Sequence, residues 1–253
     1  MRVKVTGLVI TYNEEEKIET CIRSLQKVCD EVVVIDSFST DRTKKIAESL
    51  GVRFISNEFK GHIEQKNFAI TQATYSHVLS LDADEALSDE LAESILNVKS
   101  DWQADAYSMK RLTRYVNKWI RHGNWYPDIK SRLWDVSKGK WQGRNPHDKF
   151  VLNDKGTAVH LQGDILHYSI DSIADHLRTI NKFSSIAADA MNEEGQKWAF
   201  IKMLVNPFIK FIKSYFIKLG FIDGKYGFIV SWYSSYATFL KYYKLLKLKW
   251  KLK

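Results

Sequence analysis

Two aspartates one residue apart, in the run Leu81-Asp82-Ala83-Asp84-Glu85, are the densest chemistry-bearing feature of the chain. Carboxylates at that spacing repel each other and make poor ligands for a phosphate unless a cation lies between them. Hard divalent cations take oxygen ligands and bridge one or two carboxylates to substrate phosphates, so the pattern implies Mg2+ or Mn2+. The alternative is that the acids cap the helix that follows, a common role for a lone Asp-x-Asp, and spacing leaves the two readings level. A further acid, Asp36, closes the apolar run Val32-Val33-Val34-Ile35 and is followed by Ser37.

The elements that must position these acids read as alternating strands and amphipathic helices. Strands are expected over 3–11, 31–36, 52–56 and 77–81, with helices over 41–50 and 62–73 between them. That alternation is the pattern of an α/β domain built on a parallel sheet with helices on both faces. In such a sheet ligands gather at the carboxyl ends of the strands, where Asp36, Asp82 and Asp84 fall. Asn13 stands where a helix cap is expected, with Glu16 as its capping-box partner and Ile18, Ile22 and Leu25 at helical spacing. The turn Thr11-Tyr12-Asn13-Glu14-Glu15 carries none of the glycines of a dinucleotide fingerprint or a P-loop, which removes most of the weight from those readings. A helix is expected over 88–98. Beyond it, strand-like runs at 106–112, 130–134 and 149–152 in an aromatic, basic texture suggest a mixed extension of the sheet. Residues 171–190 read as helix, with Ile173, Leu177, Ile180, Ser184 and Ala187 on one face.

The chain has 253 residues, 45% of them hydrophobic, enough to bury a substantial core. Its formal net charge of +8 draws it toward an anionic partner: nucleic acid, a phosphate-bearing substrate or an acidic membrane. Cys21 and Cys29 are too few for a disulfide framework, so a reducing cytosol is expected. The N-terminal apolar stretch reads as a strand and not as a signal peptide, and no uncharged run reaches spanning length. The block 198–253 holds eleven lysines and one acid, Asp223, among dense Phe, Tyr, Trp, Ile and Leu. Lysines beside an aromatic face fit helices lying in a membrane interface, with packing against another protein surface as the plainer alternative. Pro207 is expected to break or start a helix, and 219–224 to form the turn between two helices. No nucleic-acid-binding motif is present, so no nucleic-acid partner is expected. The expected division is a catalytic domain over 1–192 and an amphipathic helical appendage over 193–253.

Taken in order, Val9-Ile10-Thr11-Tyr12-Asn13-Glu14, Val34-Ile35-Asp36-Ser37 with Ser39-Thr40-Asp41, Gln65-Lys66-Asn67 and Leu81-Asp82-Ala83-Asp84-Glu85 resemble the family 2 glycosyltransferases of the type A fold. Tyr126-Pro127-Asp128, Arg132-Leu133 and Pro146-His147-Asp148 narrow the likeness to bacterial lipopolysaccharide inner-core β-1,4-glucosyltransferases. The resemblance covers nearly the whole chain. It implies a Rossmann-like sheet and an inverting hexosyl transfer from a UDP-sugar, UDP-glucose by analogy, to a lipid-linked core oligosaccharide at the cytoplasmic face of the inner membrane. It implies that Thr11, Tyr12, Asn13, Glu14, Asp36, Lys66, Asp82 and Ala83 line the donor site. Tyr12 would stack on the base and Lys66 would face the diphosphate. Asp84 would be the direct metal ligand and Asp82 a contact to ribose or metal water. Helix N-terminal charge is the plain alternative for Glu14.

An inverting transferase also needs a base for the acceptor hydroxyl. Relatives often use the acid of a Glu-Asp pair; here His147-Asp148 is the nearest match, making Asp148 the candidate and Asp128 its rival. His167, at the end of a strand-like run, could be a third metal ligand or a hydrogen-bonded structural residue. Arg132 and Arg144 suit bidentate phosphate or carboxylate contacts on donor or acceptor, or are solvated charge, and Arg132 is counted with the nucleotide-sugar site. A nucleotidyltransferase acting on sugar phosphates shares the plan but would want a glycine-rich phosphate loop at 11–15. A non-catalytic glycan- or lipid-binding scaffold is the remaining alternative.

Overall fold

The computed structural model describes residues 2–144, 147–153 and 156–251. In chain order the elements are β1 (Val5–Thr11), α1 (Ile18–Gln26), β2 (Glu31–Asp36), α2 (Thr43–Ser49), β3 (Arg53–Ser56), α3 (His62–Thr71), β4 (His77–Asp82), β5 (Glu85–Leu87) and α4 (Asp89–Ser100). Then come β6 (Ala106–Tyr115), β7 (Lys118–Trp119), β8 (Asp128–Asp135), β9 (Gly139–Arg144), β10 (His147–Leu152), β11 (Ala158–Ile170), α5 (Ile173–Glu193), α6 (Ala199–Ile212) and α7 (Gly224–Lys251). The main sheet runs β3-β2-β1-β4-β8-β6-β11-β5, with β7 paired to β6, while β9 and β10 form a separate hairpin. β3, β2, β1 and β4 are parallel; β8 joins β4 antiparallel and opens the mixed extension.

Alternation along the central strands assigns side chains to two cores, as expected for a sheet covered on both sides. Val5, Val9, Val32, Val34, Leu79 and Leu81 face α1 and α4 through Ile22, Leu25, Leu91 and Ile95. Leu8, Val33, Ile35 and Val78 face the other way, onto Ala69 of α3 and onto Trp134 and Trp141. Asp82 has the parity of Val78 and Ser80, so it leaves β4 on the α3 side. The helix α4 begins with Ser88, whose Oγ accepts from Leu91 N at 3.2 Å and from Asp164 N at 3.0 Å. Gly163 makes that seam possible: its φ is +93°, and a Cβ there would collide with the backbone of Leu91.

The expected capping box does not form. The helix α1 starts at Ile18 with no side-chain cap, and Asn13 adopts a left-handed φ of 53°. Its Oδ1 accepts from Thr40 N at 2.8 Å and its N–H donates to Ser39 Oγ at 2.8 Å. A partner 27 residues away outcompetes the local cap.

By its internal contacts the chain divides into two compact units, 1–111 with 128–168 and 112–127 with 169–253. In the second unit α7 packs on α5 and α6, and Ala188, Ala199, Tyr242 and Leu245 form one of its buried clusters. Asp223 accepts from the N–H groups of Arg121 and His122, at 3.0 and 2.8 Å. Pro207 does not break the chain there; it lies inside α6. Ser235 Oγ of α7 donates to Pro207 O at 2.6 Å, so the packed neighbour engages the helix at the proline. The expected turn is a 3-10 segment, Gly220–Asp223.

Candidate functional site

The carboxyl ends of β1 and β2 are stitched into one platform. Asp36, 2% exposed, accepts from Ser39 N at 3.0 Å and from Ser39 Oγ at 2.5 Å. Ser39 in turn accepts from Asn13, while Glu14 N donates to Thr43 Oγ1 at 2.9 Å and Glu15 N to Asp41 Oδ2 at 3.1 Å. Two aromatic side chains stand out from this platform, Tyr12 at 57% and Phe38 at 60% exposure. Thr11 Oγ1 is buried without a hydrogen-bond partner among the described residues. Asp36 thus organises the loop that flanks the strand ends, whatever else it touches.

At the end of β4 the tight turn Asp82–Glu85 is fixed by backbone contacts. Ala83 N donates to Ile10 O at 3.2 Å, Tyr168 N to Asp84 O at 2.8 Å, and Asp82 N to the Glu85 carboxylate at 3.0 Å. Asp82 and Asp84 diverge from this turn into different surroundings. Asp84 Oδ2 lies 3.2 Å from His167 Nε2, which β11 delivers, and both side chains are partly exposed. Among the described residues no three His, Cys, Asp or Glu side chains converge into a fuller metal cage. A carboxylate and an imidazole still make a suitable pair of ligands: adjacent corners of an octahedron with bonds of about 2.1 Å are about 3 Å apart, leaving the other corners to water and substrate oxygens.

Asp82 instead sits among cations. Lys66 Nζ of α3 is 3.0 Å from Asp82 Oδ1, off the axis of a hydrogen bond, and 2.7 Å from Asp148 Oδ2 of β10. The ammonium is 4.5 Å from the centre of the Trp141 ring on β9. Arg132 of β8, 3% exposed, donates through Nη2 to Asp82 Oδ2 at 3.2 Å and to Glu85 Oε1 at 3.0 Å. Arg111 of β6 also donates to Glu85 Oε1, at 3.2 Å, and holds Asp128 Oδ2 through Nε and Nη2 at 3.0 and 2.8 Å. Burial alone would push the Asp82 carboxyl up, but Lys66, Arg132 and Arg111 outweigh it and hold it well below the usual carboxylate range. Burial would likewise push Arg132 down, and Glu85, Asp82 and Asp148 hold it above its ordinary value.

A pocket of about 520 Å3 opens over this cluster, lined by Lys66, Asp82, Arg111, Arg132, Asp148 and Lys149 with the apolar walls of Ile129, Trp141 and Phe150. The sequence-derived residues Lys66, Asp82, Arg132 and Asp148 therefore meet in one place. Thr11, Tyr12, Asn13, Glu14 and Asp36 form the platform on the neighbouring strand ends, and Asp84 and His167 form a separate pair. Asp128 meets Arg111 and Lys130, the latter at 3.0 Å. Pro146 and the side chains of Arg144 and His147 lie outside the described residues. Sequence reasoning overlooked Glu85, whose side chain is fully buried between two arginines, and Trp141, whose ring underlies Lys66. Glu85 was visible only as the last acid of an acidic run; its burial is a property of β5 packing.

The residues 8–156 match the family described as "Glycosyl transferase family 2". An uncharacterized glycosyltransferase of Rickettsia bellii is 33% identical, over 97% of this chain and 87% of its own. The lipopolysaccharide core biosynthesis glycosyltransferase LpsC of Rhizobium meliloti is 26% identical over 94% of this chain and 90% of its own. Among solved structures, S. aureus TarS aligns at a TM-score of 0.45 with 20% identity, over 75% of this chain; the chain spans 40% of TarS.

Proposed function

The chain belongs to glycosyl transferase family 2, and from that premise we propose that it is an inverting, metal-dependent hexosyltransferase. Its donor is a UDP-sugar, UDP-glucose by the resemblance of its motifs, and its acceptor is a lipid-linked core oligosaccharide. The observation that carries this reading is the convergence of Lys66, Asp82, Arg132 and Asp148 on one pocket at the strand ends. The likeness to LpsC, a lipopolysaccharide core biosynthesis glycosyltransferase, supports the acceptor class.

In this reading Thr11, Tyr12, Asn13, Glu14 and Asp36 receive the nucleoside, with Tyr12 stacking on the base, and Ala83 lines the same donor site. Asp84 and His167 would hold Mg2+ or Mn2+, with Asp82 nearby at the ribose or a metal-bound water; the ion, when bound, neutralises charge on the departing diphosphate. Lys66 adds a positive point charge on the donor side and, at 2.7 Å, orients Asp148. Asp148 takes the proton of the acceptor hydroxyl as that oxygen attacks the anomeric carbon from the face opposite the leaving nucleotide. Arg132 steadies Asp82 toward the donor through Nη2. Asp128, tied to Arg111 and Lys130, is the rival base.

The second unit supplies the membrane contact of this proposal, on the cytoplasmic face. Trp198, Phe208, Ile217 and Trp232 are between 57% and 73% exposed, more apolar surface than a solvated helix pair normally leaves bare. Lys210 is pushed down by partial burial and by the neighbouring charges of Lys241, Lys218 and Lys213, a crowding that an anionic surface relieves. No described helix is long and apolar enough to cross a membrane, so contact at the surface is what is proposed.

The test is calorimetric binding and slow hydrolysis of UDP-glucose, with other nucleotide sugars alongside, in Mn2+, Mg2+ or chelator. Asp84→Ala should weaken metal-dependent binding by about 10- to 100-fold. Asp148→Asn should keep donor binding and lose about 10²- to 10⁴-fold in transfer to an acceptor. Folded protein that binds no nucleotide sugar under any of these conditions defeats the reading, and full transfer by Asp148→Asn moves the base to Asp128.

A further inference from the structure

The pocket over β8 contains more hydrogen-bond donors than the protein satisfies. Arg132 uses Nη2 twice, but its Nε and Nη1, both buried, have no partner among the described residues. The indole Nε1 of Trp141, also buried, has none among the described residues. The Trp141 ring, 5.4 Å from the guanidinium carbon, presents a π face and no lone pair to those N–H groups. Buried donors are normally paired, so three of them around one cavity ask for an acceptor that arrives with the ligand. The charges agree. Five cations, Lys66, Arg111, Lys130, Arg132 and Lys149, line the pocket against the carboxylates of Asp82 and Asp148, and even with Glu85 and Asp128 drawn in by Arg132 and Arg111 the acids number one fewer. Lys149 is exposed on β10.

We propose that this pocket seats an acidic group of the acceptor saccharide, a carboxylate or a phosphate monoester, on Nε and Nη1 of Arg132, with Lys149 as a second cation. The inference rests on the transferase reading above and specifies its acceptor as an acidic sugar. A guanidinium edge matches the two oxygens of such a group, which a neutral hydroxyl does not. Donor and acceptor meet in this pocket: Lys66 and Asp82, placed on the donor side, line it together with the candidate base Asp148, while the Asp84–His167 pair suited to the diphosphate's ion lies outside the lining, which sets the acidic group on the acceptor side beside Asp148 and Lys149. Trp141, Phe150 and Ile129 offer the apolar face that a pyranose ring packs on.

Titration calorimetry on the whole chain with glucuronate and glucose 6-phosphate, against glucose, tests this with and without saturating UDP and Mn2+. The acidic sugars should bind about tenfold or more tightly than glucose, and UDP with Mn2+ should leave that affinity unchanged or raise it. Lys149→Ala, at an exposed position, should weaken the acidic sugars severalfold and leave glucose unaltered. Arg132→Lys, checked for folding by circular dichroism, should abolish the preference, since an ammonium cannot present two parallel N–H groups. Equal binding of acidic and neutral sugars overturns the proposal, as does competitive displacement by UDP with Mn2+, which would hand the oxyanion site to the donor. If UDP binds and the acidic preference is missing, this inference falls alone. If the preference is present and UDP does not bind, the transferase reading falls and the acidic-sugar site stands.

Discussion

Asp82 and Asp84 show how much one residue of spacing decides. They leave the same short turn, yet one enters a shell of Lys66 and Arg132 while the other meets His167. A sequence lists the two acids side by side; the opposed surroundings come from α3, β8 and β11, which approach from distant parts of the chain. Phe38 is a second instance. Its φ is +62°, a left-handed conformation that costs a bulky residue about 1–2 kcal/mol, and its ring is 60% exposed, so packing does little to compensate. Phe38→Gly should therefore raise the urea midpoint, by an amount equivalent to about 1 kcal/mol. A lowered midpoint would mean that the ring makes contacts the exposure understates.

Among the elements, helix and strand identities were largely legible, because apolar period and strand parity are local properties. Strands expected at 31–36 and 77–81 are β2 and β4, the latter longer by Asp82, and the helix expected at 62–73 is α3. The failures occur where a distant segment changes a local outcome: Asn13 gives up its cap to bind Thr40, and Pro207 is carried inside α6 against α7. The seam between α4 and β11 depends on one hydroxyl, Ser88 Oγ, which accepts from both Leu91 N and Asp164 N. Ser88→Ala leaves both N–H groups without that acceptor and should cost about 1–2 kcal/mol in chemical denaturation. A loss of only a few tenths would show that water replaces the cap.

At the scale of the whole molecule, acid should act through different groups in two pH windows. His176 is 5% exposed, its Nδ1 lies 3.1 Å from the Tyr115 hydroxyl, and burial lowers its pKa to about 4 from 6.5. Between those values the unfolded chain binds the extra proton, so stability falls as pH drops from 6.5 to 4, by at most about 1.4 kcal/mol per unit. Asp82, held below its ordinary 3.8, contributes stability above that value and loses it on further acidification. His176→Phe should flatten the urea-midpoint profile between pH 6.5 and 4 and leave the loss below 3.8; an unchanged slope in the upper window would assign it to other groups. The membrane proposal is tested separately by sedimentation with vesicles. Binding should require anionic lipid, weaken as salt rises from 0.15 to 1 M, shorter screening lengths being the cause, and drop about tenfold in Phe208→Asp. Equal binding to neutral vesicles would contradict it.

The sequence by itself determined the α/β class, the alternation of strands and helices that positions the acids over the first hundred residues, the acids at the strand ends and the basic aromatic block, since each depends on residue type and near-neighbour spacing. It also carried the family, because several short motifs in a fixed order are a linear signal. Only the tertiary structure decided which cations oppose which acids. Lys66 and Asp148 are 82 residues apart and Arg132 and Glu85 are 47 apart, yet they meet at 2.7 and 3.0 Å. A charge pair across such separations is fixed by sheet order and by the β9–β10 hairpin folding over α3, and no local period records it. The same holds for the unpartnered edge of Arg132: a sequence states that a guanidinium is present, while burial and the geometry of its neighbours decide which of its N–H groups remain for a ligand.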